Sequence, residues 1–105
     1  MDNSSLNNPP KPYLKESYIN GINWYRIYSD GWCEQGGLGT SNGSTINLIK
    51  AYNNTSYDVL ATPTGGIGTR SFGAICTNTK TGTNFKIQES TFSGDNWWVA
   101  YGYIS

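Results

Sequence analysis

Trp24-Tyr25-Arg26-Ile27-Tyr28-Ser29-Asp30-Gly31-Trp32-Cys33-Glu34-Gln35-Gly36-Gly37 is the stretch whose reading decides the fold. An Asp-Gly pair stands between two runs of aromatic and β-branched residues, a strong short-range signal for a β-hairpin. Two registers compete. A two-residue turn on Asp30-Gly31 sets Ile27 opposite Glu34, a poor pair for a buried face. A three-residue loop, Ser29-Asp30-Gly31 with Gly31 left-handed, sets Tyr28 opposite Trp32, Ile27 opposite Cys33 and Arg26 opposite Glu34. Aromatic and opposite-charge cross-strand pairs each add about 0.2–1 kcal/mol. The second register collects both kinds and is preferred. It puts Tyr25, Ile27, Cys33 and Gln35 on one face and Trp24, Arg26, Tyr28, Trp32 and Glu34 on the other. Both faces then hold large apolar surface, which a solvated hairpin does not tolerate.

Composition narrows the class. The 105 residues suffice for one domain. Net charge is zero and charged residues make up only 13%. That argues against a nucleic-acid partner, whose phosphates demand a basic face, and against an anionic membrane surface. No apolar run is long enough for a membrane-spanning helix, so no membrane insertion is expected. No secretion signal is visible near Met1. Aromatics reach 14%, with abundant Gly, Asn, Ser and Thr, a composition suited to β-sheet with polar turns. Cys33 and Cys76 each sit in an alternating apolar run, and two buried free thiols are favoured over a bridge.

Along the chain, residues 1–20 read as a connector, Asn/Ser-rich with Pro9, Pro10 and Pro12 favouring extension. Residues 21–105 read as the domain proper. Strands are expected near 23–28, 32–37, 44–50, 57–62, 70–77, 84–89 and 97–104. Turns are expected at Gly36 to Gly39, Ser41 to Gly43, Tyr52 to Asn54, Pro63 to Gly68, Lys80 to Gly82 and Ser93 to Asp95. No window carries helical periodicity. The fold class is all-β: an antiparallel β-sandwich of about seven short strands with essentially no helix.

The last strand, Trp97-Trp98-Val99-Ala100-Tyr101-Gly102-Tyr103-Ile104, has no polar residue at any alternate position. A half-wet strand shows polar residues on its outer side. One face is therefore expected to be core and the other an interface between copies of the chain, with Trp98, Gly102, Tyr103 and Ile104 as candidates. The competing reading leaves these aromatics half-buried at a sandwich rim.

Chemistry-bearing patterns are sparse. With no histidine, neither an imidazole metal site nor a Ser-His-Asp triad is available. No metal site and no cofactor is expected. Glu34, Asp58 and Glu89 are the carboxylates a small glycan hydrolase would need, but nothing in their spacing brings them together. Gly65-Gly66-Ile67-Gly68 lacks the lysine and the following helix of a phosphate loop. What remains is a surface rich in Tyr, Trp, Asn, Ser and Thr, suited to adaptable recognition. Recognition residues on a β scaffold sit on loops. The candidates are Tyr52, Asn53, Asn54 and Tyr57 in one loop region and Arg70 in another.

Three blocks in order carry a family resemblance. The stretch Trp24 to Gly37 resembles the "Y-R-x-x-S-D-G-W-x-E-Q-G-G" opening of C-terminal domains of bacteriophage and prophage tail fibres. Ile46 to Tyr52, with Thr55-Ser56-Tyr57 and Ala61-Thr62-Pro63, is similar to that family's middle block. Trp97-Trp98-Val99-Ala100-Tyr101-Gly102-Tyr103 resembles its closing "W-x-A-x-G-Y". The departures are Tyr101 where an aliphatic is usual and Cys33 where a β-branched residue is common. The resemblance implies a homotrimeric receptor-binding tip on a virion fibre, made in the bacterial host cytoplasm. It implies adhesion to a host surface glycan or protein, and no catalytic residues. A purely structural trimerisation or capping module is the alternative.

Overall fold

The computed structural model describes residues 11–40, 42–63, 74–75, 80–88 and 95–104. Eight strands occur among them: β1 Leu14–Asn20, β2 Asn23–Tyr28, β3 Trp32–Thr40, β4 Asn42–Asn47, β5 Asp58–Pro63, β6 Ala74–Ile75, β7 Asn84–Gln88 and β8 Asp95–Tyr103. They form two antiparallel sheets, one of order β1-β2-β3-β8-β5 and one of order β4-β7-β6. No helix occurs among the described residues.

The β2–β3 hairpin adopts the three-residue loop. Arg26 stands opposite Glu34 and Ile27 opposite Cys33. Gly31 has φ of 90° and its N–H donates to Tyr28 O at 2.9 Å. That φ is open to glycine at little cost and strained for a β-branched residue. Asp30 Oδ1 accepts from Trp32 N at 3.0 Å and so closes the loop from its own side chain.

Alternation then divides the large sheet. Tyr25, Ile27, Cys33, Gln35, Trp98 and Ala100 point inward and are buried. Ile46, Phe85 and Ile87 of the small sheet meet them, with Tyr52 and Tyr57 closing the core beside β8. Phe85 and Trp98 make an edge-to-face contact, with centroids 5.1 Å apart, the geometry the ring quadrupoles favour. Each fully buried large side chain contributes about 1.5–3 kcal/mol of transfer free energy.

Gln35 is a fully buried polar side chain whose amide is hydrogen-bonded at both its nitrogen and its oxygen. Its Nε2 donates to Lys50 O at 2.8 Å, and its Oε1 accepts from Ile49 N at 2.8 Å and Lys50 N at 3.0 Å. The side-chain amide thus pairs like a strand with backbone that has none, and desolvation is offset.

Two readings are corrected. Gly36 to Gly39 is not a turn but the second half of β3, which pairs with β8 along its whole length. Glycine is required there by close approach: a Cβ on Gly36 would lie 2.7 Å from both Trp24 Nε1 and Trp98 O. Asn42 and Gly43, read as turn, begin β4. Within the segment read as connector, residues 14–20 form β1, an edge strand exposed along its whole length. It adds hydrogen bonds to β2 and little core. Of the region expected as strand over 70–77, only Ala74–Ile75 is described, as β6. Cys33 is a free, buried thiol; Cys76 lies outside the described residues.

Candidate functional site

The residues expected in a recognition loop divide by burial. Tyr52 and Tyr57 are core residues, stacked with centroids 4.5 Å apart. Tyr52 Oη donates to Cys33 O at 3.0 Å. Tyr57 Oη lies 2.6 Å from Thr81 O and 3.0 Å from Asn84 O, so two carbonyls compete for its one proton. Burial pushes the Tyr57 hydroxyl up to about 12, pushes the Cys33 thiol up to about 11, and raises Tyr52 further still. Both tyrosines are buried and tie segments of the fold together. Asn53 and Asn54 are exposed, and Asn54 Oδ1 accepts from Ser56 N at 2.7 Å in a tight turn. Arg70 and Glu89 lie outside the described residues.

The interface candidates also separate. Trp98 is 3% exposed and belongs to the core. Gly102 faces the same way, and a Cβ there would come within 2.7 Å of Tyr57 Cβ. Ile104 packs against the core. These three serve the chain's own interior, because β8 turns its even-numbered positions toward the second sheet. Tyr103 faces outward and is 49% exposed.

The outer face of the large sheet carries the unspent apolar surface. Pairing aligns Ile19, Trp24, Gly36, Val99 and Leu60 in one row across all five strands. Ile19 is 74% exposed, Leu60 61% and Val99 36%. The adjoining row of Leu38, Trp97 and Thr62 continues the patch, with Trp97 48% exposed. On the other side runs a polar row of Ser17, Arg26, Glu34, Tyr101 and Asp58. Glu34 and Asp58 therefore stand two strands apart, about 9–10 Å at the backbone, with Tyr101 between them.

Beyond the polar row, at the hairpin tip, lies a cleft of about 330 Å³ lined by Lys11, Pro12, Tyr28, Asp30, Trp32 and Glu34. Its build follows from the hairpin. The three-residue loop places Tyr28 and Trp32 on the outer face. Trp32 is packed by Tyr103 edge-on, at 5.1 Å, and by Tyr101 at 5.9 Å. Its indole N–H donates to Glu34 Oε2 at 3.2 Å, which orients both side chains. Lys11 and Pro12 reach the cleft because Tyr13 is bonded to Ser29 twice: Ser29 N donates to Tyr13 O, and Tyr13 N donates to Ser29 Oγ. The expected Arg26–Glu34 ion pair does not form. The guanidinium lies over the Trp24 ring at 5.2 Å instead. Among the described residues the one ion pair is Lys50–Glu16, at 3.8 Å. Beside it the Tyr25 hydroxyl donates to Glu16, and this bond, with some burial, pushes Tyr25 up to about 12.

Sequence reasoning placed Tyr28 and Trp32 on one outer face but sought recognition in the longer loops. The signal it passed over was the convergence of two strands' aromatics on one tip. Among the described residues no three His, Cys, Asp or Glu side chains group closely enough to hold a metal ion.

The architecture defines an antiparallel β-sandwich domain with an aromatic cleft at one end of its larger sheet. Its fold is similar to that of parts of two pyocin tail fibres. It is similar to part of the R2 pyocin fibre of P. aeruginosa, a C-terminal fragment, at TM-score 0.68 and 17% identity, over 95% of this chain and 28% of that one. It is likewise similar to an N-truncated R2-type pyocin tail fibre, at TM-score 0.61 and 16% identity, over 95% of this chain and 41% of that one. The chain thus spans less than half the length of either. No protein-family profile and no curated protein matches it in sequence.

Proposed function

We propose that this chain is a tip domain of a phage or phage-tail-like fibre and that it adheres to the bacterial surface, binding glycan or protein without catalysis. The observation that carries this reading is the cleft at the hairpin tip. Trp32, clamped by two tyrosines, presents a rigid aromatic surface beside two carboxylates and a lysine. Convergent polar groups around an aromatic floor are the usual make-up of a small-ligand site, and aromatic side chains give contact area at low entropic cost.

A second reading is a trimerisation or capping module with adhesion elsewhere on the fibre. The apolar row from Ile19 to Leu60 favours it, since contiguous exposed apolar surface of this kind marks an interaction site. The two are compatible. A homotrimer on the virion would cover the row of Val99 and Leu60 with copies of the chain and leave the cleft free. The test is adsorption of the purified chain to a panel of bacterial strains, with its mass in solution measured by light scattering. Cell binding that drops about tenfold or more in Trp32→Ala supports adhesion through the cleft. A trimer that binds no strain supports the capping module.

A further inference from the structure

We infer that the cleft selects saccharide units that carry no acid group, neutral or amine-bearing, and rejects acidic ones; this rests on the adhesion reading. Two carboxylates set the selection. Asp30 and Glu34 face the cleft, with Lys11 as the one cation in its lining. Each has one oxygen engaged by Trp32: Asp30 Oδ1 by the backbone N–H, Glu34 Oε2 by the indole. Both side chains are held in place while their second oxygens have no donor among the described residues. The nearest candidate to neutralise Glu34, its cross-strand neighbour Arg26, is turned over Trp24.

A carboxylate oxygen can only accept. The cleft therefore asks its occupant for donors, which sugar hydroxyls and an ammonium group supply. Tyr28 and Trp32 offer the apolar surface on which the C–H face of a sugar ring rests. An ammonium gains a further advantage from its charge and its attraction to an aromatic face. A uronate or phosphate group would be brought against two fixed negative charges and one positive. At such distances a like-charge contact is enough for about a tenfold loss of affinity at a partly wet surface.

The test is calorimetric titration of the full chain at neutral pH and low salt with three probes: tetramers of N-acetylglucosamine, of glucosamine and of galacturonic acid. Expected is binding of the first two and at least about tenfold weaker binding of the third. Glu34→Gln keeps an acceptor for the indole and removes the charge, so it should narrow that gap. Trp32→Ala should abolish binding of all. The inference is overturned if the galacturonic tetramer binds as well as the others, or if Glu34→Gln leaves the gap unchanged. If no tetramer binds while Trp32→Ala still abolishes adsorption to cells, the inference falls and the adhesion reading stands. If cell adsorption also survives Trp32→Ala, both fall.

Discussion

Two groups of aromatic side chains sit at opposite faces of the same sheet and do opposite things. Tyr52 and Tyr57 stack at 4.5 Å in the core and give their hydroxyl protons to backbone carbonyls. Trp32, Tyr101 and Tyr103 pack on the outer face, and the polar end of Trp32 is turned to a side chain, Glu34, beside a cleft. The residue types are nearly alike. What differs is the partner of the polar atom. A buried tyrosine bonded to main chain ties distant segments together. An aromatic packed on other aromatics at the surface keeps its contact area available.

Breaking the buried pair should cost most. Tyr57→Ala removes a side chain that is 1% exposed and should lower stability by about 3–5 kcal/mol, read from urea denaturation. Gly102→Ala drives a Cβ against Tyr57 and should cost about 1–3 kcal/mol in the same assay. The buried hydroxyl and thiol also make alkaline pH a probe. Tyr57 is raised from 10.0 to about 12 and Cys33 from 9.0 to about 11. Raised values mean the folded state holds protons that the unfolded state gives up. Their contribution is complete below pH 9 and is lost as pH rises toward 11–12. The denaturation midpoint should fall over that window, and Tyr57→Phe should flatten the fall; a rising midpoint would contradict it. Gly31→Val, at φ of 90°, should cost a little over about 1 kcal/mol in thermal melting. Trp32→Ala removes its two tyrosine contacts and should cost about 1 kcal/mol, far less than Tyr57→Ala, yet lose cell adsorption. A larger loss of stability in Trp32→Ala than in Tyr57→Ala would reverse the assignment of the two groups.

The hairpin was legible because its register is a local matter. Only one loop length pairs Ile27 with Cys33, and hydrophobic pairing selects it. The two-sided character of β8 was legible for the same reason: alternation at Trp97, Trp98 and Val99 needs no partner strand. Which side was core was not legible, because Trp98 and Trp97 are the same residue. Only the packing of Phe85 on Trp98 separates them. The glycines of β3 misled, since turn chemistry and close approach demand the same residue. The hairpin's share of the cleft (Tyr28, Asp30, Trp32 and Glu34) is local; what escaped was its completion by residues far away in sequence. Lys11 and Pro12 join its wall, and Tyr103 backs Trp32, only after β1 and β8 have been added on either side of the hairpin. The burial of Tyr52 and Tyr57 was not legible either, because a loop position does not reveal it.

The Ser29-Asp30-Gly31 loop is a tether as well as a turn. Ser29 N donates to Tyr13 O, and Gly31 O accepts from Ile104 N. The two ends of the described fold thus fasten to the same three-residue loop at one pole of the sheet. A pull between Tyr13 and Ile104 would part β1, an edge strand, from β2 and the interior strand β8 from β3, bond by bond from that pole rather than by shearing a whole ladder at once. The same closeness means that a short peptide bridge could join those ends, with the chain reopened near Asn54, and leave the strand order intact.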